Sequence, residues 1–161
     1  MGHFHYTESG LDNVWLTNGF DTETFGEYGS AVAVRQEKDL WRVLALGIVS
    51  QDTRMTGQEL RFLRTLLDWT QTNLGRHLGY GDGQTVAKWE KARHDAVPVI
   101  ADTFVRTAYR ESIGEPAMVV KTSGRLLELS TIPAASYQRV LEVSPSGEWR
   151  QTAAPVEMAF T

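Results

Sequence analysis

Two short helical patterns separated by a glycine-rich stretch dominate residues 70–91 of the sequence (TQTNLGRHLGYGDGQTVAKWEK). Thr70 is a favoured N-cap for the first pattern, and Gly79 is a favoured residue for ending it. The apolar residues of each pattern recur about one helical turn apart: Leu74 and Leu78 in the first, and Val86 and Trp89 in the second. Two helices of about eight to ten residues joined by a glycine-containing turn form a helix-turn-helix unit. This unit constrains the fold more than any other part of the sequence.

Helical patterns on both sides extend this unit into a domain. Thr56 and Glu59 form the capping-box pattern T-x-x-E, and leucines then recur at helical spacing: Leu60, Leu63, Leu66 and Leu67. Pro98 opens a further helix that ends near Gly114. The apolar residues of this helix are expected to face inward: Ile100, Phe104, Val105 and Ala108. The sequence therefore predicts a helical domain over residues 55–114.

The segment before this domain favours β-structure. Residues 14–16 (Val-Trp-Leu) and 31–34 (Ala-Val-Ala-Val) have the length and composition of strands. Asn18 and Gly19 form a dipeptide that tolerates positive φ and is a strong hairpin signal. Residues 39–49 are ambiguous in period, but their length favours a helix.

Proline and glycine punctuate the last part of the chain, and its apolar runs have the length of strands. Residues 118–120 are predicted to form one strand, and residues 139–143 and 148–153 a hairpin around a Ser-Pro-Ser-Gly turn. The whole chain is therefore expected to have an α+β fold in three parts: an N-terminal β-containing module (1–54), a central helix-turn-helix domain (55–114) and a C-terminal β extension (115–161).

The charge of the chain is acidic overall but unevenly distributed. The net charge of −4 by itself argues against a nucleic-acid binder, because such proteins usually carry a basic excess. Residues 1–54 hold four basic and eight acidic residues, whereas residues 55–112 hold eight basic and seven acidic ones. The acidic excess therefore belongs to the N-terminal module, and the objection does not apply to the helical domain.

Several classes of site are excluded or disfavoured. The chain has no cysteine, which excludes disulfides, cysteine-ligated zinc, iron–sulfur clusters and thiol nucleophiles. No Ser-His-Asp elbow, phosphate-binding loop or HExxH motif is present, so an enzyme is not expected. His3 and His5 offer a pair of metal ligands with only Glu8 as a third, so neither a metal nor another cofactor is expected. We find no apolar run of about 18 residues and no secretory signal, and we therefore expect a cytoplasmic protein without a membrane span.

The exposed positions of the helix-turn-helix unit carry side chains suited to DNA. Gln84, Thr85 and Lys88 are expected on the side of the second helix opposite its apolar residues. Gln pairs with adenine, Thr contacts a thymine methyl group or a phosphate, and Lys reaches guanine or a phosphate. Gln71 begins the first helix, where an amide and free backbone N–H groups can hold a phosphate. Further phosphate contacts are expected from two neighbouring cations: Arg76 and Lys91.

Each of these residues has an alternative interpretation as a solvated surface residue. The same interpretation is favoured for Arg61 and Arg64, which we expect on a solvated face of the preceding helix. Trp89 is expected to be a core residue rather than a platform for base stacking.

At these positions the sequence resembles the Xre/Cro (repressor-type) helix-turn-helix family. The family pattern of Gln, Leu-Ala, Leu-Gly, Thr-Val and Trp-Glu at fixed spacings is matched at the following positions: Gln71, Leu74-Gly75, Leu78-Gly79, Thr85-Val86 and Trp89-Glu90. The resemblance covers about residues 55–110 and implies sequence-specific DNA binding. Three departures stand out, namely Gly75 in place of Ala, a turn over residues 79–85 that is one residue longer, and Ala92 in place of a terminating Gly.

The layout of the whole chain has a weaker resemblance to regulators and antitoxins of the MqsA type, in which a β-containing module precedes such a domain. Residues 7–11 (Thr-Glu-Ser-Gly-Leu) resemble part of that group's N-terminal signature. MqsA-type modules often bind zinc through paired CxxC motifs, which this chain lacks. The resemblance therefore implies that residues 1–54 bind a partner protein or dimerise.

Together these observations predict a transcriptional regulator, in particular an autoregulating repressor that binds a palindromic operator as a homodimer. One recognition helix offers about three base contacts of roughly 1–3 kcal/mol each, so useful specificity requires a dimer. Exposed strand edges can pair across a two-fold axis, so we expect a β segment to form the dimer surface. The alternatives are an antitoxin whose acidic module binds a basic toxin, and a protein-binding adaptor that keeps the helices only for packing.

Overall fold

The structure, a computed structural model, describes residues 2–115 and 138–152. They form a mixed α+β fold, which confirms the predicted class. The helices are α1 (Glu37–Ser50), α2 (Gly57–Leu66), α3 (Gln71–His77), α4 (Gln84–Lys91) and α5 (Val99–Ser112). The strands are β1 (Phe4–His5), β2 (Val14–Leu16), β3 (Phe20–Thr24), β4 (Ser30–Val34), β5 (Arg139–Val143) and β6 (Trp149–Thr152). The strand predicted at residues 118–120 lies outside the described residues.

The chain divides into two compact units, and the first combines Met1–Gly47 with Tyr137–Thr161. Within this unit one sheet has the strand order β1-β2-β5-β6. The central pair, β2 and β5, is parallel, whereas the outer pairs are antiparallel. The β5–β6 pair confirms the predicted C-terminal hairpin. The sequence analysis assigns β2 to the N-terminal module and β5 to the C-terminal extension, but the two strands pair with each other in one sheet.

Asn18 and Gly19 do not form the predicted hairpin turn, because β2 and β3 are not paired with each other. β3 instead pairs with β4 in a separate two-stranded sheet. Gly19 does have the positive φ that its sequence indicates, at 76°, and a Cβ there would lie 2.5 Å from a methyl carbon of Val143. The Asn18 amide bonds the Val143 backbone in both directions, donating to its carbonyl at 3.1 Å and accepting from its N–H at 2.6 Å. The dipeptide therefore ends the β2–β5 pairing and directs the chain into the separate hairpin.

Replacing Asn18 with alanine removes both of these hydrogen bonds. We expect Asn18→Ala to lower the free energy of unfolding by about 1 kcal/mol, measured by urea denaturation. Asn18→Asp keeps the acceptor for the Val143 N–H but sets a carboxylate oxygen against the Val143 carbonyl oxygen, so it should also be less stable than the wild type. An Asn18→Ala protein as stable as the wild type would mean that this amide does not support β5.

The second unit, Ile48–Ser136, contains α2 to α5. The capping box predicted at the start of α2 is confirmed, since Glu59 Oε1 accepts the Thr56 N–H at 2.9 Å. The next two N–H groups of α2 donate to the chain that follows α4: Gly57 to the Asp95 carbonyl at 3.1 Å and Gln58 to the Arg93 carbonyl at 3.0 Å. The N-terminus of α2 is thus tied to the end of α4.

The buried face of α5 differs from the predicted one. Ile100, expected to face inward, is 59% exposed, and Phe104 and Ala108 are half-buried. Val105 is buried as predicted. The other buried positions of the helix are the core residues Ala101 and Tyr109 and three polar residues: Asp102, Thr103 and Arg106.

Two of these buried residues, Asp102 and Arg106, form an ion pair with an Nε–Oδ1 distance of 2.5 Å. Asp102 also accepts the Met55 N–H at 2.6 Å. Arg106 donates to the carbonyls of residues 49, 51 and 53, which lie at and after the end of α1. An apolar pattern misplaces this face because charged side chains that satisfy backbone groups occupy its most buried positions.

Candidate nucleic-acid interface

Helix α3 has well-formed ends. The Thr70 hydroxyl accepts the Asn73 N–H at 3.0 Å, and the Asn73 side chain accepts the Thr70 N–H at 3.2 Å. At the other end, Gly79 adopts a φ of 92°, which lets the Tyr80 N–H reach the Gly75 carbonyl at 2.8 Å in a Schellman arrangement. The predicted cap at Thr70 and stop at Gly79 are thus both confirmed.

The loop of residues 78–83 between α3 and α4 packs across α3 at Gly75. A Cβ at position 75 would lie 2.1 Å from the Asp82 carbonyl oxygen, so no space remains for the alanine of the family pattern. The Asp82 side chain then accepts the Gln84 N–H at 3.0 Å, which satisfies one of the free donors at the start of α4. The close approach of this loop therefore explains why a glycine stands at position 75, where the Xre/Cro pattern that the sequence resembles has alanine.

A buried charged network holds α4 against α2 and α3. Arg64 of α2 and Glu90 of α4 form an ion pair with an Nε–Oε1 distance of 2.5 Å, and their side chains are 13% and 4% exposed. Glu90 Oε2 accepts from the Gln71 amide at 2.7 Å, and Arg64 Nη1 donates to the Trp69 carbonyl at 2.7 Å. The prediction that Arg64 lies on a solvated face is wrong. Helical spacing within α2 cannot reveal its partner, because that glutamate lies 26 residues later.

The inward side of α4 is centred on Val86 and Glu90, which are both buried. Trp89, predicted to be a core residue, is only half-buried. Its ring makes an edge contact with the ring of Tyr80, at a centroid distance of 5.8 Å. The buried face is turned toward Glu90 because that carboxylate meets Arg64, and this moves Trp89 to the flank of the helix.

The outward side of α4 carries a stripe formed by Gln84, Lys88 and Lys91, at the i, i+4 and i+7 positions of one helix face. All three residues are exposed, and Thr85 beside them is half-buried. Within residues 2–115 and 138–152, none of the three side chains takes part in a hydrogen bond or an ion pair. We call these three residues the α4 stripe.

The remaining two residues predicted to contact DNA lie on different sides of α3. Gln71 is half-buried, with its amide bound to Glu90 of α4. Arg76 is exposed and lies two residues, or about 200° around the helix, from the buried Leu74. The structure therefore brings Gln71 next to α4 and leaves Arg76 on the outer side of α3.

The exposed surface of residues 84–94 is basic. Lys88, Lys91 and Arg93 are exposed, and the one acidic residue of the segment, Glu90, is buried in its ion pair. The exposed carboxylates nearest in the sequence are those of Asp82 and Asp95, just outside the two ends of the segment. This surface can therefore attract an anion although the chain as a whole is acidic.

An aromatic cluster in the same unit was missed by sequence reasoning. The rings of Trp69, His77 and Phe104 have centroid separations of 5.1, 5.6 and 5.9 Å. They line an open cavity of about 610 Å³, whose rim includes the exposed Glu111. Trp69 lies in the loop between α2 and α3, His77 in α3 and Phe104 in α5, so no local sequence pattern could have grouped them.

His5, near the N-terminus, makes local structural contacts. The His5 ring stacks on Trp15 at 4.3 Å, and its Nε2 lies 2.7 Å from the Asp12 carbonyl oxygen. Across the described ranges, no group of three or more His, Cys, Asp or Glu residues is placed to hold a metal ion. Nor does any helix in those ranges have the length and apolar character to cross a membrane.

Comparison with protein families, with curated proteins and with solved structures finds no match for this chain. Its function must therefore be inferred from side-chain geometry. The α4 stripe and the Arg64–Glu90–Gln71 network behind it are the two features of α2–α4 on which that inference depends.

Proposed function

We propose that the chain is a sequence-specific DNA-binding regulator that places α4 in the major groove. The observation that carries this proposal is the α4 stripe, a row of Gln and Lys side chains that have no hydrogen-bond or ion-pair partner among the described residues. They lie on a short helix whose opposite side is anchored by a buried ion pair. A helix of this kind, reached through a preceding short helix and a loop, fits the dimensions of the major groove.

Each residue of the interface has a chemical role in this proposal. Gln84, near the N-terminus of α4, pairs with the N6 and N7 edge of adenine, and Lys88 one turn later reaches guanine or a phosphate. Thr85 contacts a thymine methyl group or a phosphate, and Lys91 contacts a phosphate. Gln71 contacts the backbone while Glu90 holds its amide in place.

Arg76 has the weakest geometric support among the proposed DNA contacts, because it lies on the outer side of α3. Its proposed role is a phosphate contact at the edge of the interface, where DNA that bends around the protein would reach it. Arg76→Ala is therefore expected to weaken binding less than a change in the α4 stripe.

A single α4 stripe cannot supply the specificity that an operator requires. The three base contacts proposed for one copy, from Gln84, Thr85 and Lys88, are worth roughly 1–3 kcal/mol each, and at the lower end their sum falls short of the roughly 4–10 kcal/mol by which specific binding exceeds non-specific binding. We therefore propose a homodimer on a palindromic site, with half-sites about 34–36 Å apart or a multiple of that distance. Binding upstream of its own gene would make the protein an autoregulating repressor.

Titration of labelled DNA from upstream of the chain's own gene, followed by fluorescence anisotropy, tests the interface. Gln84→Ala is expected to weaken specific binding about 5- to 150-fold, and Lys88→Ala to reduce the slope of log K against log salt by about one unit. Lys38→Ala, which removes an exposed lysine of α1, is the matched control and should bind like the wild type. Equal effects of Lys38→Ala and Lys88→Ala would contradict the proposed interface.

A toxin-neutralising role is a second candidate, and the charge of the N-terminal segment favours it. Residues 1–54 carry four more negative than positive charges, which suits a basic protein partner. A small basic open reading frame beside this gene, and a stable complex of the two purified proteins, would support the role. A complex with a toxin would be compatible with DNA binding by α4. An adaptor that does not bind DNA would contradict the interface proposed here.

A further inference from the structure

The hairpin of β3 and β4 is highly exposed. All residues from 21 to 33 are exposed, and no third strand of the described residues pairs with either edge. Three large apolar side chains on it face solvent: Phe25 (53% exposed), Tyr28 (96%) and Val32 (37%). A lone two-stranded hairpin is only marginally stable in water, so a further strand paired with one of its edges would stabilise this hairpin.

The two free edges of the hairpin differ in their side chains. β3 carries Asp21 and Glu23, whereas β4 (Ser-Ala-Val-Ala-Val) contains no charged residue, no proline and no glycine. The register runs through five consecutive residue pairs without a bulge. Soluble proteins usually protect edge strands with charges, proline or bulges, so β4 is an unprotected edge.

Hydrogen bonds at the two ends of the hairpin determine which backbone groups face outward. The Arg35 N–H donates to the Gly19 carbonyl at 2.9 Å, and the Phe25 N–H donates to the Gly29 carbonyl at 2.8 Å. Hydrogen-bonded and non-hydrogen-bonded pairs alternate along antiparallel strands. The N–H and C=O groups that point to the free edge of β4 therefore belong to alternate residues: Ser30, Val32 and Val34.

We propose that β4 pairs antiparallel with β4 of a second copy of this chain, about a two-fold axis at Val32. In this register Val32 lies opposite its own counterpart, and Ser30 lies opposite Val34 of the other copy. All outward backbone groups of the strand find partners, and two hairpins become one four-stranded sheet. Thr22, Val32 and Val34 then share one face of that sheet, because side chains at alternate positions lie on the same side.

Charge favours a second copy at β4 over one at β3. Self-pairing of β3 about Thr22 would set Asp21 opposite Glu23 of the other copy, and like charges directly opposite each other are destabilising. Self-pairing of β4 brings only uncharged side chains together. That this dimer serves to bind a palindrome rests on the function proposed above. The association of two copies through β4 can be measured without DNA.

A single introduced cysteine reports the pairing, because the chain has no cysteine of its own. In a hydrogen-bonded antiparallel pair the Cα atoms are about 5.5 Å apart, within the range of a disulfide. We expect full-length Val32→Cys protein to form a covalent dimer under mild oxidation at micromolar concentration. Thr22→Cys, its ladder neighbour on β3, should run as a single chain on a denaturing gel. Equal cross-linking of the two variants, or none in Val32→Cys, would overturn the proposal.

A proline pair tests the same contact without a new covalent bond. Neither the Val32 nor the Thr22 N–H is used between β3 and β4, so proline at either position costs the hairpin a similar amount. Light scattering should give the mass of two chains for the wild type and Thr22→Pro, and of one chain for Val32→Pro. One-chain wild type, or dimeric Val32→Pro, would overturn the pairing. If the wild type nevertheless occupies both halves of a palindrome, the proposed DNA binding stands and the dimer contact lies elsewhere.

Discussion

Glu90→Ala is expected to lower the free energy of unfolding by about 3–5 kcal/mol, because removing one partner of a buried ion pair leaves the other charge uncompensated. The Arg64 side chain is 13% exposed, so partial hydration should place the loss near the lower end of that range. Gln71 loses its acceptor in the same variant. Since both contacts hold α4 in position, the surviving folded protein should also bind DNA more weakly.

Urea denaturation of Glu90→Ala measures this loss, and two further variants interpret it. Glu90→Gln keeps an oxygen that can accept from Arg64 or Gln71, so it should be less destabilising. Glu111→Ala removes an exposed glutamate of α5 and should change stability by no more than about 0.5 kcal/mol. If Glu90→Ala and Glu111→Ala were equally mild, Glu90 would not be the anchor of α4.

Gly75→Ala is the second large effect, although alanine is the common residue of the Xre/Cro pattern here. In an unobstructed helix this change would stabilise by about 1 kcal/mol through helix propensity. Here the new methyl group would meet the Asp82 carbonyl oxygen at 2.1 Å, and a backbone atom cannot move aside as a flexible side chain can. We expect a net loss of about 1–3 kcal/mol in the free energy of unfolding.

The displaced loop leads directly into Gln84, so Gly75→Ala should also weaken DNA binding. Gly81→Ala is the matched control, because no atom lies within 4 Å of a Cβ at that position of the same loop. It should leave both stability and binding near those of the wild type. A Gly75→Ala protein more stable than the wild type would show that the loop does not cross α3 at this residue.

Local signals in the sequence predict local structure well in this chain. The capping box of Thr56 and Glu59, the cap at Thr70 and the stop at Gly79 all appear where the sequence places them. The C-terminal hairpin is also confirmed by β5 and β6. Each of these depends on residues close together in the chain: the capping side chains satisfy neighbouring backbone groups, Gly79 adopts a positive φ, and a short turn joins β5 to β6.

Features that depend on distant residues could not be predicted in this way. Arg64 looks like a surface residue until Glu90 is folded against it, and that same contact moves Trp89 out of the core. Gly19 does adopt the positive φ that the Asn18-Gly19 dipeptide indicates. The Asn18 side chain, however, bonds Val143, which lies 125 residues away in the sequence. The spacing of apolar residues or a turn signal does not show which distant segment packs against it, so neither can identify the partner residue of a contact.

The central claim, that α4 reads DNA as part of a two-fold dimer, is tested most directly by hydroxyl-radical footprinting upstream of the chain's own gene. At about 50 mM salt, where phosphate contacts are strongest, we expect two protected patches centred about 10 base pairs apart or a multiple of that spacing. A double Gln84→Ala, Lys88→Ala variant should lose both patches. Absence of protection by the wild-type protein at that salt, or full protection by the double variant, would contradict the claim.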